Sequence, residues 1–220
     1  MLKALIFDFD GLILDTEMPF YESWREVFGS FGQELHLTEW ASLVGRGAFI
    51  EAHTPCHLLE ERLGTNLDHE AIRRTRRIHF SELMERSKPY PGVESLLRRA
   101  KESRTPVGLA SSSSREWVVG YLDSLQLTSY FDVVRCGTEA GEVKPAPDLY
   151  VSVLKGLGFQ ADEAIALEDS PIGIAAAKAA GVFCVAVPNS VTFHTCLDAA
   201  DYRVASLDEV SLESLARLLG

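Results

Sequence analysis

Two aspartates, Asp8 and Asp10, follow the apolar run Ala4-Leu5-Ile6-Phe7, and Gly11 comes directly after them. Carboxylates at the end of a buried strand are costly to desolvate unless something cationic sits between or beside them, usually a metal ion or a substrate. Ligands of open α/β sheets bind at the carboxyl ends of the strands, so this pair stands where a reaction centre is expected. Three further segments place polar groups after apolar runs or in loops. They are Ser111-Ser112-Ser113-Ser114 after Val107-Gly108-Leu109-Ala110, Lys144 in Glu142-Val143-Lys144-Pro145-Ala146-Pro147-Asp148, and Glu168-Asp169-Ser170 after Ala164-Ile165-Ala166-Leu167. A parallel sheet gathers strand ends at one edge, so the four segments can converge. Each also has an ordinary reading. Ser113 or Ser114 can cap the helix that begins near Arg115. Lys144 can be a solvated loop lysine, and Glu168-Asp169-Ser170 can cap a helix with Pro171 in its first turn.

The elements around these segments set the fold class. Residues 3–9 form a strand, and after Thr16 helical patterns take over: Glu17–Phe31, Thr38–Leu43, Pro55–Leu63 and Asp68–Glu85. From Val93 onward helices alternate with short apolar strands at Pro106–Ala110, Phe131–Val134, Ala164–Leu167 and Val182–Val187, and a last helix lies near 207–219. Such alternation predicts a doubly wound, parallel-sheet, Rossmann-like α/β core covered on both faces. The expected division is a core of residues 1–16 and 87–220 with a helical subdomain, 17–86, inserted after the first strand. The turn Pro89-Tyr90-Pro91-Gly92 leads the chain back into the core.

Composition narrows the partners. The chain has 220 residues, 46% of them hydrophobic, and a net charge of −11. An acidic chain is a poor match for nucleic acid or an anionic membrane. Cys56, Cys136, Cys184 and Cys196 are scattered without CxxC spacing, and no segment reads as a signal peptide or membrane span, so a reducing cytoplasm is expected. Nothing demands association, and a monomer is expected. The run Arg73-Arg74-Thr75-Arg76-Arg77 points around most of a helix and reads as a solvated face. His53-Thr54-Pro55-Cys56-His57 resembles a zinc cluster by composition, but Thr54-Pro55 reads better as the start of a helix.

The four segments, in this order and spacing, resemble the motifs of the haloacid dehalogenase-like hydrolases, most closely the β-phosphoglucomutase-like phosphatase branch with its helical cap. The resemblance spans nearly the whole chain. It implies a Mg²⁺-dependent phosphatase for small phosphorylated metabolites, sugar phosphates in particular. Asp8 would be the nucleophile that forms an aspartyl-phosphate, and Asp10 the general acid and base. The magnesium ligands map onto the Asp8 carboxylate, the Asp10 carbonyl and the Asp169 carboxylate, with Glu168 one step removed. Ser111, Ser112 and Lys144 would bind the phosphoryl group. Arg46, in Val44-Gly45-Arg46-Gly47, is a candidate for substrate selection, with Phe20, Tyr21 and Arg115. Two alternatives remain open at this stage, a sugar phosphomutase and a non-catalytic phosphometabolite-binding module. The branch's mutases carry a histidine where this chain has Phe20, which favours hydrolysis.

Overall fold

The computed structural model describes residues 2–44 and 54–220, so Arg46 lies outside the described residues. In chain order, β1 (Ala4–Phe7) leads into the helices α1 (Glu17–Ser30), α2 (Leu37–Val44), α3 (Thr54–Leu63) and α4 (His69–Met84). Then come α5 (Val93–Glu102), β2 (Val107–Ser111), α6 (Arg115–Ser124), β3 (Val133–Cys136) and α7 (Asp148–Leu157). The chain continues with β4 (Ala164–Glu168), α8 (Pro171–Ala179), β5 (Phe183–Ala186), β6 (Tyr202–Arg203) and α9 (Leu212–Leu218). It divides into two compact units. One comprises residues 1–14, 88–189 and 196–220; the other comprises 15–87 and 190–195.

In the first unit the strands form one six-stranded sheet in the order β3-β2-β1-β4-β5-β6, and each strand runs parallel to its neighbours. This is the α/β Rossmann-like sheet that the alternating pattern predicts. Every residue of β1, β2 and β4 is buried, which is why their sequences read as continuous apolar runs rather than alternating ones. Ala4 and Ile6 join Ala110, Ala164 and Ala166 in a core closed by Leu149, Tyr150 and Val153 of α7 and by Ile174 and Ala177 of α8. The strand order reverses between β1 and β4, and at such a switch point a crevice opens beyond the carboxyl ends. Phe7 pairs with Leu167 across this point. Asp8 and Glu168 each come one residue later, so they emerge side by side.

The edge strand β6 has only two residues, both exposed, and no apolar run announces it. The segment 190–195 lies beyond the residues that the sequence assigns to the helical insertion, yet it groups with that unit. Val191 is fully buried among Trp24, Phe28, Trp40 and Leu59.

The arginine run of α4 is only partly a solvated face. Arg77 pairs with Glu70 at the surface. Arg76 instead lies over the rings of Phe20, at 4.6 Å, and Phe80, at 5.3 Å. A planar, weakly hydrated guanidinium gains from such stacking.

The return into the α/β unit depends on Gly92, which precedes α5 in a left-handed conformation, φ +87°. A Cβ at this position would lie 2.2 Å from the Leu207 carbonyl carbon. The variant Gly92→Ala is therefore expected to lose on the order of 2 kcal/mol or more, from strain and displaced backbone together. Urea unfolding checks this, and an unchanged midpoint would count against the close contact.

Candidate active site

The residues at the ends of β1 and β4 meet in a buried cluster. Asp8 lies just past β1, where its N–H still donates to the Leu167 carbonyl at 3.0 Å. Its carboxylate oxygen, the Glu168 carboxylate and the Asp169 carboxylate all lie within 4.8 Å of one another, and all three residues are buried. Lys144 sends its ammonium into the same space, donating to Asp8 at 2.5 Å and to Glu168 at 2.6 Å. Lysine is rarely buried without such partners. Its ordinary reading as a solvated loop residue therefore does not hold.

Burial raises the Asp8 carboxyl from its ordinary 3.8 to about 7; the Glu168 charge adds to the rise and Lys144 opposes it. The Lys144 ammonium is held well above its ordinary range: Asp8 and then Glu168 outweigh its own desolvation. The two directions are consistent. One ammonium shared between two carboxylates stays charged and leaves one of them uncompensated.

Asp10 turns away from this group. The chain leaves β1 through a turn in which Gly11 has φ +78° and its N–H donates to the Leu14 carbonyl. The Asp10 carboxylate accepts from Ser113 Oγ at 2.6 Å, from Ser111 Oγ at 3.3 Å and from the Trp117 indole N–H at 3.0 Å. Its pKa is raised, chiefly by burial, and the Ser113 and Trp117 hydrogen bonds pull against the rise. The two aspartates thus face different partners, although a spacing of two on a straight strand would put them on one face.

Several residues that hold the site carry no motif signal. Tyr150 is fully buried on α7, and its hydroxyl donates to Glu168 Oε1. Asn189 donates from Nδ2 to Asp169 Oδ2 at 2.7 Å and to the Gly11 carbonyl at 3.0 Å. A Cβ on Gly11 would lie 2.4 Å from Asp169 Oδ2, so the glycine is needed for close approach as well as for its φ. Trp117 is missed because it stands inside α6, where it reads as an ordinary apolar helix residue.

The remaining expected residues are placed as follows. Ser112 Oγ accepts from the Lys144 backbone N–H at 3.3 Å, tying the serine loop to the lysine loop. Of the two candidate caps, it is Ser114 that caps α6, accepting from the Trp117 N–H. Arg115 is exposed and paired with Glu139 at 3.1 Å. Phe20 packs in the helical unit against the Trp40 and Phe80 rings, each 5.7 Å away.

The donor set suits a hard divalent cation. Its side-chain ligands are all carboxylate oxygens, as magnesium prefers. Glu168 Oε2 is buried without a hydrogen-bond partner among the described residues, an arrangement that a metal ion or its water would satisfy.

A family model described as haloacid dehalogenase-like hydrolase matches residues 5–187. The chain belongs to this family. YhcW of Bacillus subtilis (strain 168) is 44% identical to it over 98% of this chain and 96% of that protein. The fructose-1-phosphate phosphatase YqaB of Escherichia coli (strain K12) is 32% identical over 84% of this chain and 95% of its own. Among solved structures, CbbY from Rhodobacter sphaeroides in complex with phosphate superposes with a TM-score of 0.72 at 27% identity. That match covers 98% of this chain and 100% of CbbY.

For this haloacid dehalogenase-like chain, the buried charge makes a prediction about stability. With its raised pKa, Asp8 holds a proton in the folded protein that the unfolded chain has already lost. Its contribution is therefore complete below about pH 4 and is lost as pH rises to about 7. In chelator, the stability of the wild type relative to Asp8→Asn is expected to fall across that window. Added Mg²⁺ should shrink the fall. Chemical unfolding at a series of pH values measures the difference, and a flat difference would contradict the burial argument.

Proposed function

We propose that this haloacid dehalogenase-like phosphatase hydrolyses small phosphorylated metabolites, sugar phosphates among them, through a phosphorylated Asp8 and with magnesium as cofactor. The observation that carries this reading is the buried meeting of Asp8, Lys144, Glu168 and Asp169 beside an Asp10 that faces a separate set of donors. Relatives named for sugar-phosphate substrates, YqaB among them, support the substrate class.

An Asp8 oxygen attacks phosphorus while the bond to the ester oxygen breaks. Asp10, as a carboxylic acid, gives its proton to the departing alkoxide. Its raised pKa favours the protonated form that this role requires. Asp10 then takes a proton from water as that water attacks phosphorus. The bond from phosphorus to Asp8 breaks, inorganic phosphate leaves, and both aspartates return to their starting states. Lys144 holds a phosphoryl oxygen by charge, and the Ser111 hydroxyl turns from Asp10 to another. Magnesium held by the Asp8 and Asp169 carboxylates and the Asp10 carbonyl would neutralise the phosphoryl charge. Splitting the transfer into two displacements leaves the protein mainly to position groups and stabilise charge.

Trp117 and Ser113 fix the Asp10 carboxyl between them. Trp117→Phe removes the indole donor and keeps an aromatic ring, so kcat is expected to fall about tenfold with little change in KM, the size of one hydrogen bond. Equal kcat in the two proteins would remove Trp117 from the account. The cysteines Cys56, Cys136, Cys184 and Cys196 are all free thiols, which suits a reducing cytoplasm. No helix among the described residues is long and apolar enough to cross a membrane.

The test is a panel of sugar phosphates incubated with Mg²⁺, with inorganic phosphate as the readout. Turnover is expected for some members, and Asp8→Asn should lower it on the order of a thousandfold or more. Conversion of one sugar phosphate to its isomer without phosphate release would instead indicate a mutase. Full activity in Asp8→Asn would overturn the mechanism.

A further inference from the structure

A second group of metal-ligating side chains lies in the helical unit. His57 and Glu60 are three residues apart on α3, a spacing that puts them on one helix face. His69, the first residue of α4, reaches back to them across the turn that joins the two helices. Glu60 Oε2 faces His57 Nδ1 at 3.1 Å, and Glu60 Oε1 faces His69 Nε2 at 2.9 Å. The three ligand atoms lie within 4.8 Å of one another. The two imidazole rings stand edge to face, with centroids 4.9 Å apart. The Leu67 N–H also donates to Glu60 Oε1 at 2.8 Å and holds the carboxylate in place. Side-chain exposure rises from 18% at Glu60 and 23% at His69 to 57% at His57, so the group is anchored on one side and open to solvent on the other.

We propose that His57, Glu60 and His69 bind one divalent zinc-class ion. In a tetrahedral site with bonds of about 2.0–2.2 Å, neighbouring ligand atoms stand roughly 3.2–3.5 Å apart. Each histidine nitrogen already stands close to that span from one oxygen of Glu60, Oε2 for His57 and Oε1 for His69. Two imidazole nitrogens and one carboxylate oxygen suit zinc, nickel or copper, whereas magnesium prefers oxygen alone. Solvent on the His57 side supplies the fourth ligand. Each histidine gives the metal the lone pair of the nitrogen that now faces Glu60. In a neutral ring the proton that now bridges to Glu60 moves to the other nitrogen as the metal binds, a change of tautomer that releases no proton. The N–H of Leu67 acts as the outer contact that orients the ligating carboxylate.

The histidine that matters is not in the grouping that composition suggests. Cys56, next to His57, is fully buried in the apolar core of the helical unit and is no ligand. His69 is twelve residues further on and is brought in by the α3–α4 turn. An ion held here would fasten the middle of α3 to the start of α4. All three ligands belong to the helical unit, whereas Asp8, Glu168 and Asp169 belong to the α/β unit. Zinc binding is therefore separable from the proposed phosphatase chemistry.

The experiment uses the full chain, stripped with chelator and returned to millimolar Mg²⁺ so that the all-oxygen cluster is supplied with its preferred ion. Zinc is then titrated and followed by calorimetry. One zinc per chain at micromolar affinity or better is expected. The double variant His57→Gln/His69→Gln, which keeps polar side chains near Glu60, should weaken binding roughly a hundredfold. Asp169→Asn should leave zinc affinity unchanged. Circular dichroism confirms that the variants are folded, and His36→Gln, at an exposed histidine outside the group, serves as control. No zinc binding by the wild type, or equal binding by the folded double variant, would overturn the proposal. Loss of binding in Asp169→Asn with retention in the double variant would reassign the zinc to the acidic cluster and overturn it equally.

Discussion

The organising constraint of the α/β unit is a buried charge imbalance. Asp8, Glu168 and Asp169 bring three carboxylates to one point, and Lys144 supplies one ammonium. With all four ionised, two negative charges are left over, the number that one divalent cation balances. Without that cation the protein protonates a carboxylate instead, which is the physical content of the raised Asp8 pKa. A deficit of this size is costly to keep in a folded protein and suits the metal and phosphoryl group proposed for this site.

The rest of the unit holds that deficit in place. The pairing of Phe7 with Leu167 delivers Asp8 and Glu168 side by side. Tyr150 and Lys144 both donate to Glu168 Oε1, leaving Oε2 without a partner among the described residues. Asn189 fastens Asp169 to the backbone of the Gly11 turn, so the loop after β5 supports the turn after β1. That turn then directs Asp10 to Ser111, Ser113 and Trp117. One strand end therefore offers two carboxyls with different surroundings, and chemistry that needs an ionised nucleophile and a protonated acid needs that asymmetry.

Much of this is legible in the chain. Strand ends are visible because fully buried parallel strands read as uninterrupted apolar runs, and the polar residues that stop them stand out. The helical stretch after β1 is visible because its periodicity changes. Supporting residues are harder to read, because their roles come from packing across long sequence distances. Tyr150 looks like a core aromatic and Asn189 like a loop residue until the fold brings them to Glu168 and Asp169. Trp117 hides in a helix, and Arg76 in a run of charges that looks wholly solvated. Arg115 illustrates the converse: it stands near the serine motif, but Glu139 claims it. The two-residue strand β6 has too little apolar surface to leave a pattern.

The most direct test of the charge-balance account is the stoichiometry of Mn²⁺ bound in place of Mg²⁺, read from the loss of the free-ion electron paramagnetic resonance signal. The account predicts one Mn²⁺ per chain displaced by excess Mg²⁺, and much weaker binding in Asp169→Asn, which removes one of the two surplus charges. Absence of binding in the wild type, or undiminished binding in Asp169→Asn, would contradict it.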